Sequence, residues 1–406
     1  MEWTPELRDF IQKHIDDDTS DLLLAAQRYQ GINVPLAVEQ IEARRRLKGK
    51  LPAWYGNPHL IMGGRVPAEQ CSSEMTARFK RSIVGGESLC DMTGGMGVDF
   101  WYMSEGMKRA IYTERQQHLC GAAIHNFQML KDECHPEAEV RYGDGRELPI
   151  PSVDVIYLDP ARRAGDGSRV YAIEDCEPNV VEWQDELLLH ALTVLVKLSP
   201  MVDVSDMLRK LKGVTDVYIV GVRNECKEVL VKMQRGTECE RLEVVVHCVD
   251  FLASGKMEYV FSLSDEMTIS LTDGGVKRFL YEPDVTLMKA GAFGSLCSCY
   301  PVCQLDFDTH LMTSDELVGD FPGRIFEVVE QTPFSSKLLK RLKKELPQAN
   351  IAARNFPLTA DELRKRAGIK DGGDVYLFGV KVKNLGALLL TCRKIVLLAG
   401  ASSVSM

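Results

Sequence analysis

The sequence predicts an α/β fold, a parallel sheet flanked by helices, and three features carry that prediction. The strand-like Ser88-Leu89-Cys90 runs into Asp91-Met92-Thr93-Gly94-Gly95-Met96-Gly97, a sharp acid-and-glycine turn, and Val98-Asp99-Phe100 opens a helix after it. The next strand, Arg109 to Thr113, ends at Glu114, 23 residues beyond Asp91. A third, Val153-Asp154-Val155-Ile156-Tyr157-Leu158, has the apolar text of a strand covered on both faces and stops at Asp159-Pro160. Open parallel sheets bind ligands outside the carboxyl ends of their strands, so these strand-end acids predict a site on one edge.

Taken in order, residues 1–68 read as helices with short breaks. Leu7, Phe10, Ile11 and Ile15 form one apolar stripe, Leu22 to Ala26 another, and Val38, Ile41 and Ala43 a third. The basic run Arg44 to Lys50 closes the region, as a solvated helix end or as a phosphate contact. Ser73 to Phe79 predicts a helix just ahead of the first strand, and Leu119, Ala123, Phe127 and Leu130 recur at helical spacing. Val140-Arg141-Tyr142 leads as a strand into Gly143-Asp144-Gly145. Leu192 to Lys197, Val217 to Val220 and Val229 to Lys232 predict a fifth, sixth and seventh strand. Farther on, Leu242 to Val246, Tyr259 to Ser262, Val375 to Phe378 and Ala387 to Leu390 are strand-like.

The order D-x-x-x-G-x-G resembles motif I of class I S-adenosylmethionine (AdoMet) methyltransferases. A dinucleotide fingerprint needs a third glycine where Phe100 stands, which leaves an NAD dehydrogenase as a remote alternative. Glu69 to Ala77, Asp159 to Arg163, Lys197-Leu198-Ser199-Pro200 and Arg354-Asn355-Phe356-Pro357 together resemble a bacterial group of methyltransferases bearing a THUMP-like C-terminal domain. The resemblance implies a helical N-terminal domain at 1–68 and a Rossmann-like, seven-stranded class I methyltransferase sheet at 69–239. It further implies a β-rich connection and ferredoxin-like unit at 240–322, a THUMP-like domain at 323–395 and a tail at 396–406. AdoMet is the implied cofactor, held by Asp91, Thr93, Gly95, Gly97, Glu114 and Asp144. In that assignment Glu114 accepts from the ribose hydroxyls and Asp144 from the adenine amino group, while Thr76 and Lys80 reach the methionine end. A branched side chain at position 97 is expected to enter the donor's space.

The text at Asp159 limits the chemistry. Enzymes that methylate base amino groups resemble one another in an Asn/Asp-Pro-Pro-aromatic motif, which Ala161 and Arg162 break. Methylation at a pyrimidine carbon needs a cysteine nucleophile, which the uracil-carbon enzymes place after the fifth strand and the cytosine-carbon enzymes beside the Asp-Pro motif. This chain has Lys197-Leu198-Ser199-Pro200 at the first place and Ala161-Arg162 at the second, and Cys176 and Cys226 match neither. Direct in-line transfer to nitrogen or oxygen remains. Asp159 is the expected proton acceptor, and Arg162 or Arg163 is expected to pair with a phosphate or carboxylate of the substrate. Either arginine has an alternative role in bracing the loop against Glu174 or Asp175.

Charge is unevenly distributed. The chain has a net charge of −9, yet from Phe334 to Lys370 ten cations stand against three acids, a local balance of +7. This stretch, inside the THUMP-like unit, is expected to bind RNA through Lys340, Arg341, Lys344 and Arg354, to stack a base on Phe356, and to present the RNA to the strand-end cleft. A merely solvated basic face would leave a protein or small molecule as the substrate. Outside enzymes, the alternative is a noncatalytic AdoMet- or RNA-binding module.

With 406 residues, 45% of them apolar, the chain exceeds one ordinary core and should divide into two or three domains. Its 12 cysteines form no compact framework and its N-terminal residues lack a basic and apolar signal, which points to a reducing cytoplasm. No apolar run nears the roughly 20 residues that span a bilayer. Cys297, Cys299 and Cys303, with His310 beyond them, read as a reduced cysteine cluster, and His118 and His125 as packing or surface residues, so no metal is expected.

Overall fold

The computed structural model describes residues 3–162, 172–237, 241–267 and 269–397. The chain forms two compact units, the first made of residues 1–215 with 229–239 and the second of 216–228 with 240–406.

Helices open the first unit. Pro5–Lys13, Thr19–Leu24 and Val34–Leu47 bring Leu7, Phe10, Ile11, Leu22, Val38 and Ile41 into one apolar cluster. Thr4, Asp18 and Asn33 cap them, each accepting from a first-turn amide that has no partner inside its helix. The basic run is a bracket, neither solvated nor poised for phosphate throughout. Arg44 is buried and donates to the carbonyls of Asn57, Pro58 and Leu60, Arg45 to those of Ile15 and Asp17, and Lys50 to those of Ala68 and Glu69. The segment so held is clasped again by two buried amides. Gln40 exchanges both side-chain hydrogen bonds with the backbone of Met62, and Asn126 with that of Ile61, each bond 2.7 Å.

The sheet of this unit contains β1 (Ser88–Asp91), β2 (Arg109–Glu114), β3 (Ala138–Tyr142) and β4 (Val153–Leu158). β1 lies between β2 and β4, parallel to both, and β3 lies outside β2. Ala191–Leu198 continues the parallel set beside β4, and Cys226–Gln234 runs antiparallel to it. The chain thus leaves β1 toward β2 on one side and returns to β4 on the other, which opens a crevice at the carboxyl end of β1. Asp91, Glu114 and Asp159 all arrive at that edge because each ends or directly follows one of these parallel strands.

In the second unit Val214–Val222 pairs in parallel with Val245–Leu252, which pairs antiparallel with Gly255–Ser262. The strand expected from Leu242 begins only at Val245, because Arg241–Glu243 closes into a 3-10 turn. A seven-stranded sheet follows in the order Cys303–Gln304, Met312–Ser314, Phe279–Pro283, Gly323–Pro333, Gly386–Ile395, Val375–Val382, Asn350–Arg354. Helices Ser336–Glu345 and Ala360–Ala367 set Leu338, Leu342, Leu363 and Ala367 into one cluster with Leu377 and Leu389 of this sheet.

Candidate active site

The crevice is a cleft lined by residues 91–96, 114–116 and 143–146, together with Asp99, Tyr157, Asp159, Glu177 and Trp183. Its floor is the glycine turn. The Gly94 amide donates to the Thr113 carbonyl at 2.8 Å, the Gly95 amide to Glu114 Oε2 at 2.8 Å, and the Tyr112 hydroxyl to the Gly95 carbonyl at 2.5 Å. These bonds press the turn onto β2. A Cβ on Gly94 would lie 2.1 Å from the Tyr112 ring, and one on Gly97, where φ is +80°, would lie 2.7 Å from the Phe127 ring. Gly97 therefore faces the core, and the expectation that a branched residue there would enter the donor's space is corrected: it would strike Phe127 instead. Gly95, at φ +56°, has only the Thr93 carbonyl near its open side, at 3.8 Å.

Asp91 is almost fully buried, and its Oδ1 accepts from the Thr93 amide at 2.9 Å. The Thr93 hydroxyl in turn accepts from the Asp159 amide at 2.6 Å, so this threonine ties the turn to the end of β4. Glu114 spends one oxygen on Gly95 and the other on the Gln116 amide at 2.7 Å; a carboxylate has about four acceptor positions, which leaves capacity toward the cleft. Asp144 is more heavily engaged. Arg146 donates to it from its backbone at 3.0 Å, from Nε at 3.0 Å and from Nη2 at 2.6 Å, and these hydrogen bonds hold its carboxyl below the ordinary range. Arg146 and Arg115 also converge on Glu177 Oε1, each at 3.1 Å.

Asp159 Oδ2 receives Lys197 Nζ at 2.5 Å. Behind that pair stands Asp99, whose Oδ2 accepts from Ser72 at 2.8 Å and Tyr157 at 2.7 Å and lies 3.8 Å from Lys197 Nζ. Lys80 Nζ closes the set, 3.2 Å from Asp99 Oδ1 and 3.1 Å from Ser72 Oγ. Lys80 and Thr76, expected at the methionine end, are absent from the cleft lining. Both sit on the inner face of helix Glu74–Ser82, four residues apart, and the Thr76 hydroxyl donates to the Ser73 carbonyl at 3.2 Å. Their neighbours Ser72 and Asp99 line the cleft in their place.

Sequence reasoning passed over Asp99, Lys197, Arg115, Arg146 and Glu177. A strand-end rule extended to the fifth strand would have picked out Lys197, and the first turn of the helix after the glycines holds Asp99. Of the described cysteines Cys71 lines the cleft; its thiol donates to the Ala68 carbonyl at 3.4 Å, and burial raises it, which keeps it a thiol and a poor nucleophile. Arg162 ends a two-residue strand whose partner is Cys176–Glu177, and Arg163 lies outside the described residues.

In the second unit, Lys337, Lys340 and Lys344 are exposed on helix Ser336–Glu345, opposite the buried Leu338, Leu339 and Leu342. Lys340 and Lys344 make no ion pair among the described residues, whereas Arg341 is held by Glu330 at 2.6 Å and Glu345 at 3.4 Å. Two expected RNA contacts are corrected. Arg354 pairs at 3.0 Å with the buried Glu282, which Arg324 also holds, and so neutralises an interior charge. Phe356 is partly buried in the helix–sheet cluster, edge-on to Phe334 at 4.8 Å and against Gly379, so its ring is engaged in packing rather than free to stack a base. Among the described residues no group of three or more His, Cys, Asp or Glu side chains is arranged to hold a metal, and no helix is long and apolar enough to cross a membrane.

Two segments of the second unit match family models, residues 279–322 a ferredoxin-like domain and 323–394 a THUMP domain-like family. The whole chain is similar to the crystal structure of a proposed methyltransferase from Porphyromonas gingivalis W83, with 34% identity and a TM-score of 0.87 over 98% of this chain and 100% of that one. More distant structures include the Pyrococcus abyssi tRNA (uracil-54, C5)-methyltransferase in complex with S-adenosyl-L-homocysteine, 16% identical at a TM-score of 0.27 over 43% of this chain and 40% of that one. Another is M. capricolum TrmK with S-adenosyl-homocysteine, 10% identical at 0.31 over 43% and 74%. No curated protein matches the sequence.

Proposed function

Because the chain belongs to the same methyltransferase family as the P. gingivalis protein, we propose that it methylates a nitrogen or oxygen of RNA, with AdoMet as the donor. The observation that carries the chemistry is Asp159, a half-exposed carboxylate at the mouth of the cleft, pointed by Lys197 and tethered by its amide to Thr93 in the glycine turn. The lining fits the donor: Asp91 offers a carboxylate to a cation, Glu114 and Asp144 offer acceptors to hydroxyl and amino groups, and Gly95 leaves room beside the backbone. When bound, AdoMet supplies a sulfonium methyl that is already electrophilic, so no cysteine adduct is required. The protein's own work is alignment and proton handling. Asp91, Thr93, Glu114 and Asp144 hold the donor, Asp159 takes the proton from the acceptor, and Lys197 fixes the direction of that carboxylate. Arg162 and Arg163 stand three and four residues after Asp159 and supply charge for a substrate phosphate.

The RNA assignment rests on the exposed lysines of helix Ser336–Glu345 within the segment of +7 balance. Phosphate contacts release counterions, so binding should weaken with salt at a slope of about 0.7 per contact for single strands. Reversing Lys337, Lys340 and Lys344 to glutamate should lower RNA affinity and flatten that slope while leaving AdoMet affinity unchanged, as read by filter binding across a salt series. Equal RNA affinity in parent and variant, or none in the parent at low salt, would transfer the assignment to a protein or small-molecule acceptor.

A further inference from the structure

Asp91, like Glu114 and unlike Asp99, Asp144, Asp159 and Glu177, has no cation of its own among the described residues. Only about 1% of it is exposed, one oxygen accepts from Thr93, and among the described residues its second oxygen receives no hydrogen bond. The groups around it are Asp99 from the following helix, Asp159 from the end of β4, Glu114 and the Tyr112 hydroxyl from β2, and the Cys90 thiol beside it. Lys80 and Lys197, the lysines of this region, are ion-paired with Asp99 and Asp159. Burial pushes the Asp91 carboxyl well above its ordinary value; the Thr93 amide opposes that, and Asp99, Asp159 and Glu114 add to it.

We propose that AdoMet enters this cleft in exchange for a proton: Asp91 is a neutral carboxylic acid when the cleft is empty and an ionised partner of the donor's positive charge when it is filled. The exchange rests on the reading of AdoMet as donor. Its balance is simple. The O–H bond of Asp91 breaks, the electron pair stays on the carboxylate, the proton leaves to solvent, and the charge of the donor replaces it. S-adenosylhomocysteine has lost the sulfonium charge, so it displaces less proton from the same carboxyl. Loss of the methyl group then favours reprotonation of Asp91 and departure of the product, and the residue discriminates the charged donor from its neutral thioether.

Titration calorimetry of the full chain at pH 6.5, in phosphate and in imidazole, tests this directly. At that pH the donor's own amino group stays charged, since such groups titrate near about 7.7–8.0. The heat of AdoMet binding should depend on the buffer with the sign of proton release, up to one proton per site, and affinity should rise by at most about tenfold per pH unit as pH increases. S-adenosylhomocysteine should release fewer protons than AdoMet in the parent protein, a comparison that needs no variant. Asp91→Asn, its fold checked by circular dichroism, should abolish the release. Buffer-independent heats in the parent, equal release with the two ligands, or undiminished release in folded Asp91→Asn would each overturn the exchange while leaving AdoMet as the donor. No binding of AdoMet in either buffer would overturn the cofactor reading, and the exchange with it.

Discussion

Lys80 Nζ lies 3.2 Å from Asp99 Oδ1, and the lysine has no exposed surface at all. A buried ammonium beside a buried carboxylate is held in place by the cost of leaving either alone. Removing one partner of such a pair costs about 3–5 kcal/mol. Lys80→Met should therefore destabilise the protein by about that amount in urea unfolding, and adding Asp99→Asn should cost less than the sum of the two single changes.

The same carboxylate makes an acid-side prediction. Burial alone would raise Asp99, but Lys80 and Lys197, helped by hydrogen bonds from Tyr157 and Ser72, outweigh it and bring it from 3.8 down to about 2. A carboxyl depressed in the fold contributes stability above its unfolded value, and that contribution is lost as pH falls through the folded one. The stability advantage of the parent over Asp99→Asn should accordingly hold at neutral pH and shrink as pH falls from 3.8 toward about 2, measured by melting curves across that range.

Catalysis should divide from cofactor binding at Asp159. General acid–base groups contribute about 10²–10⁴-fold, so Asp159→Ala should slow transfer of labelled methyl from AdoMet to RNA by that factor while AdoMet affinity stays near the parent's. Lys197→Met should reproduce much of the loss and Lys197→Arg should recover part of it, because the guanidinium can still donate to Asp159. The double change at 159 and 197 should be little worse than Asp159→Ala alone, as expected of residues acting as a unit.

The two glycines of the turn should behave differently. Gly97→Val meets the Phe127 ring and a positive φ, so it should show chiefly as lost stability, about 1–3 kcal/mol from overpacking before backbone strain is added. Gly95→Ala meets no protein atom closer than 3.8 Å and should be milder in thermal unfolding. Differential scanning fluorimetry of the empty proteins distinguishes them.

The strands and their terminal acids were legible because period, apolar runs and glycine turns are local signals. Asp91, Glu114 and Asp159 came together since parallel strands bring their carboxyl ends to one edge. The partners of those acids were not legible. Lys197 reaches Asp159 across 38 residues of chain, and Ser72 reaches Asp99 across 27, spacings that no local pattern encodes. Thr76 and Lys80 were expected at the methionine end, but the buried stripe Thr76, Ala77 and Lys80 lies outside the cleft lining, a burial that the local sequence does not encode. In the second unit the count of cations was legible but their availability was not, because Arg354 is claimed by Glu282, 72 residues away. An aromatic near basic residues likewise reads as a stacking platform until the packing of Phe334 and Gly379 on Phe356 is seen.

The amides of Gln40 and Asn126 clasp Met62 and Ile61 much as a neighbouring strand would, each supplying both a donor and an acceptor. Asn126 belongs to helix Gln117–Leu130, which follows β2, so the segment at 57–62 is sewn to the sheet as well as to the helices before it. A protein shortened to begin after that segment would strand the buried Asn126 amide, at a cost of about 1–3 kcal/mol for each unsatisfied group. Shedding or exchanging the helical region therefore carries that cost unless Asn126 is changed with it, so the loop and the helix residue that answers it form one unit.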